Sequence, residues 1–249
     1  MHRYHILVEY VGTNFHGWQT QSNGKTIQKT IERKIKKIIH EKVKVIGSGR
    51  TDTGVHAFEQ SAHFDCKKKI ENLNKFVKSI NYFLNDNLIS ILSIKKRNLH
   101  FHARYSAKMR IYKYIIFNRK SKPSIYKERG WHISKKLDVN LMRKGAKKLL
   151  GTNDYSTYRA SSCNAKSPIK SIKLIKILKA NNIIYIKFQS QSFLQQQVRS
   201  MVGCLKYLGE GKWNLKKFVR VFKAKKRILC APPAPSNGLY LEKVIYLFF

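Results

Sequence analysis

The sequence predicts an α+β protein made of two β-α-β-β-α-β halves that share a mixed, largely antiparallel sheet, and three observations lead there. Stretches rich in β-branched and aromatic residues alternate with stretches whose isoleucines and leucines recur three and four residues apart. These stretches run strand, helix, strand, strand, helix, strand, and the same order can be read twice, which is the ferredoxin-like arrangement. At 249 residues the chain has room for one large domain or two small ones, each with its own core.

Residues 3–10 are rich in strand formers and give way to a polar loop containing Gly12, Gly17 and Gly24. From Thr26 onward Ile27, Ile31, Ile35, Ile38 and Ile39 mark an amphipathic helix whose other face is Lys and Glu. Strands are expected at 43–46 and 55–66 around the turn Gly47-Ser48-Gly49-Arg50-Thr51-Asp52-Thr53-Gly54. A helix over Leu73, Phe76, Val77, Ile80 and Leu84 and a strand at 88–94 complete the first half. The second half offers a strand at 108–117, a helix at 139–150, strands at 169–178 and 183–189, and a helix at 194–208. A short helix carrying Val219 and Phe222 and a closing strand at 238–247 end it. The halves are therefore drawn as 1–100, with the Asp52 loop, and 101–249, which completes an RNA-binding cleft; residues 118–130, with Pro123, read as a loop. No sequence identity links the halves, so the repeat rests on element order.

Fifty-one Lys and Arg against 13 Asp and Glu give a formal net charge of +38. Lysine supplies 38 of the basic residues, and a solvated Lys-rich face accounts for part of the excess, yet a surplus this large creates a strong positive field. The expected partner is a nucleic acid or another phosphate polymer. A hydrophobic content of 43% separates the chain from disordered basic tails. No apolar run reaches the ~18 residues of a membrane span, and residues 1–10 read as a strand rather than an export signal, so a cytoplasmic protein is expected. Cys66, Cys163, Cys204 and Cys230 are scattered without a Cys-x-x-Cys pair and are read as reduced core thiols.

Five aspartates occur, and four have ordinary explanations: Asp86 in an Asn-Asp-Asn turn, Asp138 capping a helix, Asp65 ending a strand, Asp154 after a turn. Asp52 stands apart. It lies in a glycine-rich loop beside Arg50, and a carboxylate at a polyanion site repels its ligand unless it has a chemical task. A tight turn whose Asp bonds local amides is the ordinary reading of such a string when nothing else is known.

The wider pattern supplies more. Gly49-Arg50-Thr51-Asp52-Thr53-Gly54-Val55-His56-Ala57 resembles the catalytic motif of the A-type tRNA pseudouridine synthases. Val8-Glu9-Tyr10 with Phe15-His16-Gly17-Trp18-Gln19 resembles that family's opening, and His100-Phe101-His102-Ala103-Arg104 followed by Tyr112-Lys113-Tyr114 its second signature. Gly151-Thr152-Asn153-Asp154, Phe193 through Val202-Gly203, and Ala231-Pro232-Pro233 with Gly238-Leu239-Tyr240-Leu241 continue the series in order. The resemblance implies the pseudouridine synthase fold and a cofactor-free, homodimeric enzyme that isomerises uridines at tRNA positions 38 to 40, in the anticodon stem-loop.

It also implies roles: Asp52 as the catalytic carboxylate, Arg199 as its ion partner, Tyr112 stacking on the target uracil, and Arg50 on phosphate while the base is flipped out. His56 and Leu239 join the substrate-binding set. Asp52 has three routes open to it: addition to uracil C6, attack on ribose C1′, or removal of the C2′ proton. Each needs an ionised carboxylate, which a neighbouring cation maintains. His100 and His102 lack the further ligands of a metal site, and no metal is expected. One departure is Gln195-Gln196-Gln197, where histidine or methionine is common in the family. The alternative is a noncatalytic RNA-binding protein with two RRM-like halves; the aromatic RNP1 string that such sheets use for stacking is missing from the sequence.

Overall fold

The computed structural model describes residues 1–247 and divides the chain into two compact units, Met1–Lys108 together with the strand from Tyr240, and Met109–Leu239. Among the described residues no helix is long and apolar enough to cross a membrane.

In the first unit β1 (His2–Tyr10) lies between β3 (His56–Cys66) and β4 (Ile89–Arg97), antiparallel to both. Helices α1 (Ile27–Ile39) and α2 (Leu73–Leu84) follow the predicted periodicity and bury Ile27, Ile31 and Ile35, and Phe76, Ile80 and Leu84. Each starts where the sequence offers an oxygen to an orphan amide: the Thr26 side chain accepts from the Lys29 N–H and that of Asn72 from the Lys75 N–H. The strand expected at 43–46 shrinks to β2 (Ile46–Gly47), paired with β3 at His63 and Ala62. This gives the 4-1-3-2 order of a ferredoxin-like unit, with the second strand reduced to a stub because the chain turns at once into the Asp52 loop. Beyond the stub, β10 (Leu239–Tyr246) pairs parallel with β3, Tyr240 opposite His56 and Leu241 opposite Ala57.

The second unit is built on β5 (Ala107–Asn118), which runs antiparallel to β9 (Ile183–Ser190); β9 runs antiparallel to β8 (Ile169–Ala180), and β8 to β7 (Gly151–Asp154). The segment read as a loop is followed by a short strand, β6 (Trp131–Ile133), parallel to the end of β5. Helix α3 (Val139–Lys147) opens on Asp138, whose carboxylate accepts from the Leu141 N–H as its capping position predicts. Helix α4 (Gln197–Gly209) begins three residues later than its apolar run suggests. The Gln197 side-chain carbonyl accepts from the Leu194 N–H, and Gln196 takes a left-handed φ of 59°, so the chain bends before the helix can start. Helix α5 (Leu215–Lys223) packs Phe218 and Phe222 inward.

Candidate active site

The Asp52 loop hangs between the end of β2 and the start of β3, and both its ends are pinned. On the entry side Ser48 donates its amide to the Ser61 carbonyl (2.7 Å) and its hydroxyl to Gln60 Oε1 (2.8 Å), while Gln60 returns its Nε2–H to the Gly49 carbonyl (2.9 Å). Gln60 is fully buried, so these bonds are exchanged away from water. On the exit side the Asp52 carbonyl accepts from the Val55 N–H (3.1 Å), a turn that needs Gly54 at φ +78°.

The glycines of the β1–α1 loop press against this turn. A Cβ on Gly12 would stand 1.9 Å from the Val55 carbonyl oxygen, and one on Gly17, at φ +81°, would stand 2.5 Å from the Thr51 carbonyl oxygen. In place of side chains there are bonds: Trp18 N–H donates to the Thr51 carbonyl (3.1 Å), and the Tyr10 hydroxyl meets Thr51 Oγ1 at 2.8 Å. Asp52 is thereby held at intermediate exposure, between buried Thr51 and exposed Thr53, with Arg50 exposed to solvent.

His56 is 1% exposed. Its Nδ1 accepts from the Gly12 N–H at 3.0 Å, and its ring lies 4.7 Å from the Tyr240 ring, which stacks in turn on Phe58 at 4.8 Å. These contacts tie the β1–α1 loop, the start of β3 and β10 to one imidazole, a positioning task that the sequence does not reveal.

The His100–Arg104 motif docks on the same unit. The Ala103 N–H donates to His63 Nδ1 (3.2 Å), and the Ala103 carbonyl accepts from the Tyr246 hydroxyl (2.7 Å). That hydroxyl accepts from the Ser61 hydroxyl, which accepts from His5 Nε2–H, while His63 Nδ1 must be unprotonated to accept the Ala103 N–H. Burial is the main cause that pushes each of them down to about 4, with Arg97 adding to it for His5 and Arg3 for His63. Among the described residues no group of His, Cys, Asp and Glu could hold a metal ion.

In the second unit Tyr112, on β5 opposite Phe188, is 9% exposed and meets the Phe193 ring edge-on at 5.2 Å. Arg199, on the first turns of α4, donates Nε–H to the Ala234 carbonyl at 2.7 Å. The 231–235 segment can lie this close to α4 because Gly203 has no side chain: a Cβ there would stand 2.1 Å from the Pro232 carbonyl oxygen. Leu239, at the start of β10, is 6% exposed. Of the three glutamines, Gln195 takes the Ala160 N–H on its backbone carbonyl (3.1 Å) and the Gln197 side chain takes the Leu194 N–H (2.8 Å) in the bend before α4.

The remaining aspartates are occupied as their sequence contexts suggest. Asp65 holds Arg3 in a two-pronged pair (2.7 and 2.6 Å), Asp138 caps α3, Asp154 accepts from the Ser156 amide and hydroxyl, and Asp86 sits in the 3-10 turn Asn85–Asn87.

A sequence model described as tRNA pseudouridine synthase matches the chain twice, over residues 6–106 and 146–247. The chain belongs to the tRNA pseudouridine synthase family. It is 71% identical over 246 residues to the tRNA pseudouridine synthase A of Pelagibacter ubique (strain HTCC1062), covering 99% of this chain and 100% of that protein. It is 39% identical over 246 residues to the enzyme of the same name from Maricaulis maris (strain MCS10), covering 99% and 98%. Against that of Thermoanaerobacter sp. (strain X514) it is 42% identical over 241 residues, covering 97% and 98%. The first match covers the first series of elements and the second begins at the end of α3, and the fold is that of the family.

Proposed function

We propose that this pseudouridine synthase isomerises uridines at positions 38 to 40 of the tRNA anticodon stem-loop, with Asp52 as the catalytic carboxylate. The observation that carries the assignment is the mould around Asp52: the backbones of Gly12 and Gly17 press against its loop, Gly54 closes the turn at φ +78°, and the aspartate is held at intermediate exposure beside exposed Arg50. The high positive charge of the chain suits a polyanionic substrate.

The reaction breaks the bond from uracil N1 to ribose C1′, turns the base over and joins C5 to C1′. C5 gives up a proton and N1 gains one, so atoms and charge balance without oxidant or energy source. By resemblance Arg50 contacts phosphate during base flipping, Tyr112 stacks on the uracil and Arg199 keeps the carboxylate ionised, with Leu239 lining the substrate. His56 acts as a positioning residue through Gly12. A cytoplasmic homodimer working on tRNA completes the reading, and light scattering should give twice the monomer mass.

The deciding experiment uses unmodified tRNA transcripts tritiated at uracil C5. The wild type should release tritium, and release should stop when positions 38 to 40 carry no uridine. Asp52→Asn should bind tRNA at least as well, since a negative charge is removed from a polyanion site, and release none. Release by the variant near the wild-type rate would overturn the role of Asp52. Binding without release by the wild type would point to the noncatalytic RNA-binding alternative.

A further inference from the structure

Cys204 and Cys230 bring their sulfurs to 3.5 Å of each other, although 26 residues separate them. Cys204 is fully buried on the inner face of α4, and Cys230 is partly exposed directly after the 3-10 turn Arg227–Leu229. The turn is fastened to the same helix, since Arg227 Nη1 donates to Ser200 Oγ at 2.8 Å. Cys230 is therefore the more accessible residue of the pair, Cys204 the more deeply buried, and the Arg227 charge acts on Cys230.

We propose that Cys204 and Cys230 form a redox-modification site: a dithiol that hydrogen peroxide oxidises to a disulfide and a small dithiol reduces again. The assignment goes beyond the isomerase reading and does not depend on it.

The two thiols are unequal in the way this chemistry needs. The hydrogen bond from Cys204 and the charge of Arg227 draw the Cys230 thiol below its usual range against the opposing effect of burial. The same bond, with burial, pushes Cys204 well above its own. Cys230 is the more accessible of the two and the one whose thiol is drawn down, a combination that favours reaction. Its thiolate attacks one oxygen of the peroxide: an S–O bond forms, the O–O bond breaks, and the departing oxygen leaves as water, giving a sulfenic acid at Cys230. The Cys204 sulfur then attacks the Cys230 sulfur. The S–S bond forms, the S–O bond breaks, and a second water leaves with the proton of Cys204. Two thiols have given up two electrons and two protons, and one peroxide has become two waters. Bond formation brings the sulfurs from 3.5 Å to about 2.05 Å, and the two thiols already meet at hydrogen-bonding range.

The other two cysteines stand elsewhere. Cys66 donates its thiol to the Lys68 carbonyl at 3.1 Å and is pushed up to about 11, chiefly by burial. Cys163, on a different loop after the 3-10 turn Ser156–Tyr158, is drawn below its usual range against burial by backbone hydrogen bonds with Ala165 and Gln195 and by Arg159, so it is the competing site the test must exclude.

The test treats the full-length protein with hydrogen peroxide, then unfolds it in guanidinium chloride, blocks remaining thiols with N-ethylmaleimide, and reads intact mass and tryptic peptides. The expected product is about 2 Da lighter before blocking, takes up two maleimides rather than four, joins the Cys204 and Cys230 peptides, and returns to four free thiols with dithiothreitol. Cys66→Ser with Cys163→Ser should keep the mass loss. Cys230→Ser, at the exposed position, should abolish it. Because Cys204 is buried and its replacement can unfold the helix, the wild-type peptide map and Cys230→Ser decide without it. Oxygen adducts with no lighter species, pairing through Cys66 or Cys163, or four thiols still alkylated after the treatment would each overturn the proposal.

Discussion

Arg199 and Ala234 bind each other twice: Arg199 Nε donates to the Ala234 carbonyl at 2.7 Å, and the Ala234 amide donates to the Arg199 carbonyl at 2.9 Å. The reciprocal pair fixes the guanidinium plane through an atom that lysine does not possess in that place. Arg199→Lys should therefore keep the backbone half of the pair and the fold, while losing the orientation of the charge. Loss of a charged hydrogen bond of about 2–3 kcal/mol corresponds to a roughly 30- to 160-fold fall in turnover. Circular dichroism checks the fold and tritium release the rate; a lysine variant within threefold of wild type would show that any cation serves.

Gly12→Ala tests the mould around Asp52. The added methyl meets the Val55 carbonyl oxygen at 1.9 Å, and neither backbone can retreat without giving up the bond from the Gly12 N–H to His56 Nδ1. Overpacking of this kind costs about 1–3 kcal/mol of stability. The larger expected effect is on turnover, because the turn closed by the Asp52 carbonyl and Val55 N–H must shift. A folded Gly12→Ala protein with wild-type activity would show that the carboxylate tolerates displacement.

Acid should unfold the first unit through His5 and His63. Both are held near 4 in the folded chain against about 6.5 when unfolded, so the unfolded state binds more protons between these values. Stability is complete above pH ~6.5 and falls as the pH drops toward about 4, by on the order of a few kcal/mol for each imidazole. Protonated His63 can no longer accept the Ala103 N–H, and His63→Asn, which keeps an acceptor but does not titrate, should flatten the slope. Urea midpoints between pH 4.5 and 7.5 measure it; an unchanged slope would remove His63 from the account.

What the sequence made legible was local. The helix start at Asp138 was readable because a cap and its amide lie three residues apart, and the Asp52 turn because its glycines are its neighbours. His56 was legible as a motif residue but not as the imidazole joining Gly12 to Tyr240, because those partners come from opposite ends of the chain. The closing strand, counted by element order at the end of the second half, pairs parallel with His56 and Ala57, a register that no periodicity encodes. The same holds for the meeting of Cys204 and Cys230, since scattered cysteines carry no spacing from which proximity can be inferred.

Tyr112 separates stacking from proton transfer. Its ring stands edge-on to Phe193 and opposite Phe188 on β9, so part of its surface is already used in packing. Tyr112→Phe keeps that packing and removes only the hydroxyl. It should fold like the wild type, hold tRNA with the same affinity, and lose rate if the hydroxyl assists removal of the C5 proton. Tyr112→Ala removes the ring, which costs about 3–5 kcal/mol for a large buried aromatic, together with a base-stacking contribution of ~1–3 kcal/mol. The alanine variant should therefore melt earlier and bind the target stem-loop roughly 5- to 150-fold more weakly, on top of any loss in rate. Thermal melts come first, so that binding is compared only where both variants are folded. Tritium release under single-turnover conditions then isolates the chemical step. If both folded variants bind and turn over as the wild type does, Tyr112 is a packing residue of β5 and the uracil stacks elsewhere.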